Sequence, residues 1–92
     1  MSTRLEQDRA EIDLIDAQIA ELFEKRFHVV HDIIDFKIEN RMPILDSGRE
    51  KDITERSCAR IEDDQIRIYF RSLYTHMLDL SREYQKEVLD GK

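Results

Sequence analysis

The stretch IDLIDAQIAELFEKRFHVVHDIIDFKIENRMP, residues 12–43, decides the fold. Ile12, Ile15, Ile19, Leu22, Val29, Ile33 and Phe36 recur at alternating steps of three and four, with one position passed over. Such spacing winds one face of an α-helix along another helix as a heptad seam. The run stops at NRMPILDSG, residues 40–48, where turn formers cluster and Pro43 drives Met42 out of helical φ/ψ. A first helix is therefore predicted from near Thr3 to Glu39–Arg41. The seam position passed over is Arg26, and Asp8 stands on another. A guanidinium inside an apolar stripe is costly unless something pairs with it. Either an acidic neighbour or water reached by snorkelling satisfies Arg26, or an anionic ligand does.

Outward from that stretch, a second helix is predicted to begin at Asp46 or Ser47; Ser47 and Glu50 have capping-box spacing, which supports Ser47 as N-cap, with Asp46 as the alternative cap. Acidic residues at Glu62–Asp64 can cap a third helix, which runs to about Leu89 and stops at Gly91. Within it Ile66, Phe70, Leu73, Met77, Leu80 and Tyr84 form a three–four stripe predicted to be core. Beside the stripe runs the row Tyr74, Leu78, Ser81, Gln85 and Val88. Ser81 and Gln85, spaced i,i+4, share a face and read as a polar pocket wall or a wet boundary. No repeat, low-complexity stretch or strand-like alternation occurs. The expected fold is all-α: one long, one short and one medium helix in a single domain over residues 1–92.

Length adds a second expectation. About 36 helical residues span ~54 Å at 1.5 Å each. A compact domain of this size has a radius of gyration near ~12 Å and a diameter of roughly 30 Å. The first helix outruns its own domain while its seam continues almost to its end. It must pack on something outside the monomer, and a symmetric, intertwined homodimer is the simplest answer. A different partner protein is the alternative.

Composition excludes several functions. The chain has 92 residues, 15 basic and 21 acidic, for a net charge of −6 and a sequence pI of about 5.0. A phosphate backbone wants a basic face, so nucleic acid is not an expected partner. Gly48 and Gly91, the two glycines, lie too far apart to build a phosphate-cradling loop. No apolar run approaches the ~18 residues of a membrane span. Met1–Ala10 lacks the apolar core of a signal peptide, and Cys58 is the single cysteine, so the cytoplasm is the expected compartment. His28 and His31 stand three apart on a helix, but no third ligand accompanies them; no metal site is expected.

Spacing also relates the cations. Lys37 follows Arg26 by eleven residues, close to three full turns, so both point to roughly the same side. Arg9 precedes Arg26 by seventeen, which is ~25 Å along one helix with a rotation of ~100°. Arg9 cannot share a small-molecule site with Arg26 on one straight helix. It can do so from the partner chain of an antiparallel dimer.

Taken together, these residues resemble the all-helical (type II) chorismate mutases. The resemblance spans about Leu5 to Gln85. It is carried by Arg9 in LEQDRAEID, Arg26 in ELFEKR, Lys37 in DFKIENR, the block MPILDSGRE with Asp46, Arg49 and Glu50, and Ser81 with Gln85 in LSREYQ. It implies a small intertwined homodimer that isomerises chorismate to prephenate in phenylalanine and tyrosine biosynthesis, without cofactor, metal or covalent intermediate. Arg26 of one subunit and Arg9 of the other would bind the two substrate carboxylates. Lys37 would contact the enolpyruvyl side and the ether oxygen, and Gln85 would donate to that oxygen. Glu50 would accept from the ring hydroxyl, helped by backbone near Asp46. Ser81 would touch a carboxylate, and Arg49 would line the pocket and steady Glu50 or the substrate. Lys37, Gln85, Arg26 and Glu50 are thus the expected catalytic set. Leu45, where several relatives carry a basic residue, and Gly48, in the first turn of the second helix, depart from the family pattern. Two rival functions use the same scaffold: an isochorismate pyruvate lyase, and a catalytically silent dimerisation or regulatory module.

Overall fold

The computed structural model describes residues 3–91; Met1, Ser2 and Lys92 of the expected domain lie outside the described residues. Three helices follow in order: α1 (Arg4–Glu39), α2 (Ser47–Ala59) and α3 (Asp64–Asp90). The chain is therefore all-α, with the long–short–medium pattern read from the sequence.

Local chemistry sets each boundary. Thr3 caps α1, its hydroxyl accepting from Glu6 N at 3.1 Å while the Glu6 carboxylate accepts from Thr3 N, a reciprocal capping box. At the other end Arg41 takes a left-handed φ of 53°. Met42 N donates to Lys37 O at 2.8 Å and Arg41 N to Ile38 O at 3.3 Å, the 6→1 and 5→2 bonds of a Schellman turn. Having no glycine there costs roughly 1–2 kcal/mol. Lys37 therefore stands in the last turn of α1, about one turn before the chain leaves the helix at Arg41.

The N-cap of α2 is Asp46 rather than the expected Ser47: Asp46 Oδ1 accepts from Arg49 N at 3.0 Å. A carboxylate at a helix N-terminus also meets the positive end of the helix dipole, so it outcompetes the adjacent hydroxyl. With Ser47 inside the helix, Glu50 is released from the expected capping box. Asp63 caps α3, accepting from Gln65 N and Ile66 N at 2.9 and 3.2 Å. Arg67 then ties the α2–α3 corner. Its Nε donates to Cys58 O at 3.2 Å, and its other nitrogens reach Ile61 O and the Asp64 carboxylate. It thereby adds a donor to the Cys58 carbonyl in the last turn of α2, which also accepts from Ile61 N, and binds the Ile61 carbonyl of the connecting turn.

α3 lies between the other two helices, packing on α1 along one side and α2 along the other. Ile34, Cys58, Val30 and Leu78 form the small apolar core, with Ser81, Gln85, Thr54 and Ser57 buried among them. This corrects the sequence reading of α3. The inward row is Leu78, Ser81 and Gln85, whereas Ile66 and Leu73 of the expected core stripe are 55 % and 65 % exposed. Phe70, Met77, Leu80 and Tyr84 are half-buried. Tyr84 instead joins an aromatic group with Phe27, centroids 5.3 Å apart, on which Phe23 stacks at 4.5 Å.

The molecule is elongated. Its extents are 59 × 28 × 15 Å and its radius of gyration is 16.9 Å, against ~12 Å for a compact domain of this length. The longest dimension is that of α1. All seven apolar seam residues of α1 are 43–64 % exposed. No helix among the described residues is long and apolar enough to cross a membrane.

Candidate active site

Where the C-terminal half of α1, the 40–46 loop, the start of α2 and the second half of α3 meet, they enclose a cavity of ≈ 180 Å³. Arg26, Lys37, Asp46, Arg49, Glu50, Ser81 and Gln85 all line it. Seven of the eight sequence-derived positions therefore converge from four segments. Arg9 does not: it is exposed on the free end of α1, on the order of 25 Å along the helix from Arg26. The remaining wall is apolar, made by Val30, Ile33, Ile44, Ile53 and Leu78. The volume falls below the ~300–1,000 Å³ of drug-sized sites, so the cavity suits a compact small molecule.

Lys37 and Gln85 are joined. Lys37 Nζ donates to Gln85 Oε1 at 3.2 Å and to Ile44 O at 2.7 Å, strapping the 40–46 loop onto the helices. An ammonium carries three protons and cannot accept, so the amide oxygen of Gln85 must face it. Gln85 Nε2 is left on the other side, 3.5 Å from Ser81 Oγ. Gln85 Nε2 donates one of its two protons to Ser81 Oγ, so one Lys37 proton and one Gln85 amide proton remain to be donated to an acceptor in the cavity.

Arg26 is the unsatisfied cation. Its Nη1 is buried and has no hydrogen-bond partner among the described residues. Its guanidinium carbon lies 5.9 Å from the Tyr74 ring centroid, within cation–π range. Neither the acidic neighbour nor full snorkelling foreseen as alternatives accounts for it. A buried donor with no acceptor costs about 1–3 kcal/mol, more when charged, so an anion in the cavity would relieve it.

Glu50 has a partner that the sequence reading missed. Arg82, on α3, pairs with the Glu50 carboxylate and with Asp79. The Arg82 pKa is raised, first by the hydrogen bond from its guanidinium to Glu50. Arg49, expected to steady Glu50, lines the cavity, but the contact to Glu50 comes from Arg82. Spacing carries no signal for this pair: only the packing of α2 on α3 brings positions 50 and 82 together. Tyr74 was likewise read only as part of a mixed row.

The charge balance inside the cavity favours an anion. Arg26, Lys37 and Arg49 are cationic; of the two acids, Asp46 is engaged in capping α2 and Glu50 is paired with Arg82. Among the described residues no set of three or more His, Cys, Asp or Glu side chains could hold a metal ion.

Residues 8–86 match the sequence profile of the family described as chorismate mutase type II. The chain belongs to the type II chorismate mutase family. No curated protein and no solved structure matched it significantly. The match covers every residue that lines the cavity and Arg9 as well. Chorismate mutases are isomerases, and membership sets that general class of chemistry for this chain.

Proposed function

We propose that this chain is a chorismate mutase that rearranges chorismate to prephenate in phenylalanine and tyrosine biosynthesis, working as a homodimer with shared sites. The observation that carries the proposal is the convergence of Arg26, Lys37, Glu50, Ser81 and Gln85 on one cavity in which Arg26 has a buried, unpaired donor. Chorismate is a dianion with an ether oxygen between its ring and its enolpyruvyl group. The reaction breaks that C–O bond and forms a C–C bond within the same molecule, so no proton, electron or co-reactant is exchanged. A nucleophile or general base has no part in it.

Catalysis then rests on two effects. Holding the flexible substrate in its folded reactive conformation removes rotational freedom before the barrier is climbed. Arg26, with Arg9 of the partner subunit, grips the two carboxylates by forked hydrogen bonds, and the apolar wall formed by Val30, Ile53 and Leu78 packs the ring. As the C–O bond lengthens, negative charge gathers on the ether oxygen. Donors already fixed at that place, Lys37 Nζ and Gln85 Nε2, stabilise it without reorganising. Glu50, steadied by Arg82, accepts from the ring hydroxyl, while Arg49, Ser81 and the backbone beside Asp46 complete the binding surface.

The dimer is supported by two features. The seam of α1 is exposed along its length, and exposed apolar surface of that extent marks an interaction face. Arg26 and Ile33 belong both to the seam line and to the cavity wall, so a helix laid on the seam would also roof the cavity. An antiparallel second α1 carries its Arg9 to that roof.

The test is to follow the loss of chorismate spectrophotometrically with purified protein and to identify the product. Prephenate is the expected result. Salicylate and pyruvate from isochorismate, with no prephenate from chorismate, would replace this reading with the lyase. No turnover of either substrate by a folded dimer would make the chain a silent helical module.

A further inference from the structure

A second recess, ≈ 260 Å³ in volume, adjoins the first and shares Arg26, Arg49 and Ile53 with it. Arg26, Arg49, Arg56 and Arg60 surround it, with Ser57 and Tyr74 between them. Four guanidiniums face one small space, and no carboxylate lines it. Among the described residues none of the four is paired with an acid, while Arg67, Arg71 and Arg82 all are. Like charges gathered in one place repel, and the chain as a whole is acidic at −6. Something outside this fold must supply the counter-charge.

The same chain carries it. Residues 4–24 of α1 contain two basic and seven acidic side chains, a net −5, and all of them are exposed. Register decides which acids arrive. With Arg9 of the partner subunit at the level of Arg26 on an antiparallel α1, Asp13 and Asp16 follow it on the same helix face, about 6 and about 10.5 Å further along. They come to the levels of Leu22 and Ile19, on the N-terminal side of Arg26. The second half of α2 lies on that side too. Lys37 pairs with Gln85 and Arg26 lies over Tyr74, so α1 and α3 run parallel. α2 runs the other way: Glu50 meets Arg82, Glu55 meets Arg71 and Cys58 meets Arg67. Arg56 and Arg60 therefore sit beside the first part of α3, beyond Tyr74 in the direction that the partner's Asp13 and Asp16 take.

We propose that this recess is the seat of the acidic first half of α1 from a second copy, with Asp13 and Asp16 of the partner subunit paired to Arg56 and Arg60. The proposal rests on the reading that Arg9 is delivered across a dimer. It adds the device that sets the depth and register of delivery: carboxylates about one and two turns beyond Arg9 anchor on arginines about one and two turns beyond Ile53. It also explains how a further cation can approach a recess already rich in arginine.

Two charge-reversed variants test it. In Arg56→Glu/Arg60→Glu and in Asp13→Arg/Asp16→Arg, like charges meet at both ends of a homodimer. In the mixed dimer every pair is again opposite. By sedimentation equilibrium at low salt, each variant alone should show a dimer Kd raised at least tenfold. By native mass spectrometry, the mixture should assemble mainly as the one-to-one species. Circular dichroism verifies folding, and the neutral pair Arg56→Gln/Arg60→Gln should weaken the dimer in the same direction should a reversed variant fail to fold. Wild-type-like dimerisation of all the folded variants overturns the proposal, as does statistical mixing. So does inorganic phosphate binding to the wild-type dimer at these arginines, seen by ³¹P line broadening that is lost in Arg56→Gln/Arg60→Gln. Selective pairing without chorismate turnover would leave the latch standing while the catalytic reading fell. Turnover by a dimer that pairs at random would do the reverse.

Discussion

Lys37 Nζ lies 3.2 Å from Gln85 Oε1, so a cation on α1 orients an amide on α3. Because the ammonium only donates, the amide nitrogen is turned to the cavity side, where a donor is wanted. Replacing Gln85 by glutamate keeps the shape but makes the group a donor only when protonated. The carboxyl would stand beside Lys37, which favours its ionised form and lowers its pKa. Gln85→Glu should therefore be poorly active near neutrality and gain activity as the pH falls. A kcat/KM profile checks this; a flat or alkaline-favouring profile would remove Gln85 from the ether-oxygen role.

Arg26 and Lys37 supply positive charge to a doubly negative substrate. Arg26→Ala and Lys37→Ala should each lose on the order of 10²–10³ in kcat/KM, the scale seen when one preorganised donor is removed. Both should keep wild-type circular dichroism, since neither side chain belongs to the apolar core formed by Ile34, Cys58, Val30 and Leu78. Near-normal rates would refute the site assignment.

Shared sites make a prediction about mixtures. When Arg9→Ala and Arg26→Ala chains are mixed and re-annealed, half the dimers are hybrids, and one of the two sites in each hybrid is intact. Activity should recover to about one quarter of wild type by that statistical count. Proven exchange without recovery would show that Arg9 does not cross to its neighbour.

Arg82 acts through Glu50. Arg82→Met should lower kcat/KM with Glu50 present and change little in a Glu50→Gln background, a non-additive double-mutant cycle. Arg82→Lys should restore part of the loss. Equal effects in both backgrounds would mean that Arg82 only holds α2 to α3. The helix contact itself is also served by the Arg71–Glu55 pair, at 2.8 Å.

That outer pair has a pH signature. The hydrogen bond from Arg71, and then its charge, hold Glu55 below its ordinary value of 4.5. The unfolded chain binds the proton more readily, so the contribution is complete above pH 4.5 and is lost as the pH falls through the lower folded value. Both groups are exposed, so the effect is small. Thermal midpoints of wild type and Glu55→Gln should differ slightly at pH 7 and converge as the pH falls below the lowered Glu55 pKa. A gap that widens on acidification would contradict the sign.

The positions of the helices were legible because helical period and turn chemistry are local. The seam of α1, the break at Pro43 and the acids at Glu62–Asp64 place α1, the start of α2 and α3 within a residue or so of their observed ends; the end of α2 at Ala59 was not read. Most of the polar lining of the cavity was legible too, because residues such as Lys37 and Gln85 belong to a recurrent spaced set. Three things were not. Asp46 took the cap from Ser47, a contest between adjacent residues that spacing does not rank. Arg82 found Glu50 across two helices. On α3, the Leu78–Ser81–Gln85 row turned inward in place of the more apolar stripe beside it.

What the residues determined unaided is the set of apolar and charged faces: the α1 seam, the acidic first half of that helix and the cations spaced along it. What only the tertiary structure decided is which faces meet within one chain. α3 must touch α1 and α2 at once, and the row that satisfies both neighbours is buried whatever its polarity, here because Lys37 and Ser81 hydrogen-bond the Gln85 amide. Periodicity counts the apolar surface that must be covered. It does not say what covers it, so the α1 seam remains exposed, as do Ile66, Ile68, Tyr69 and Leu73 in the first part of α3.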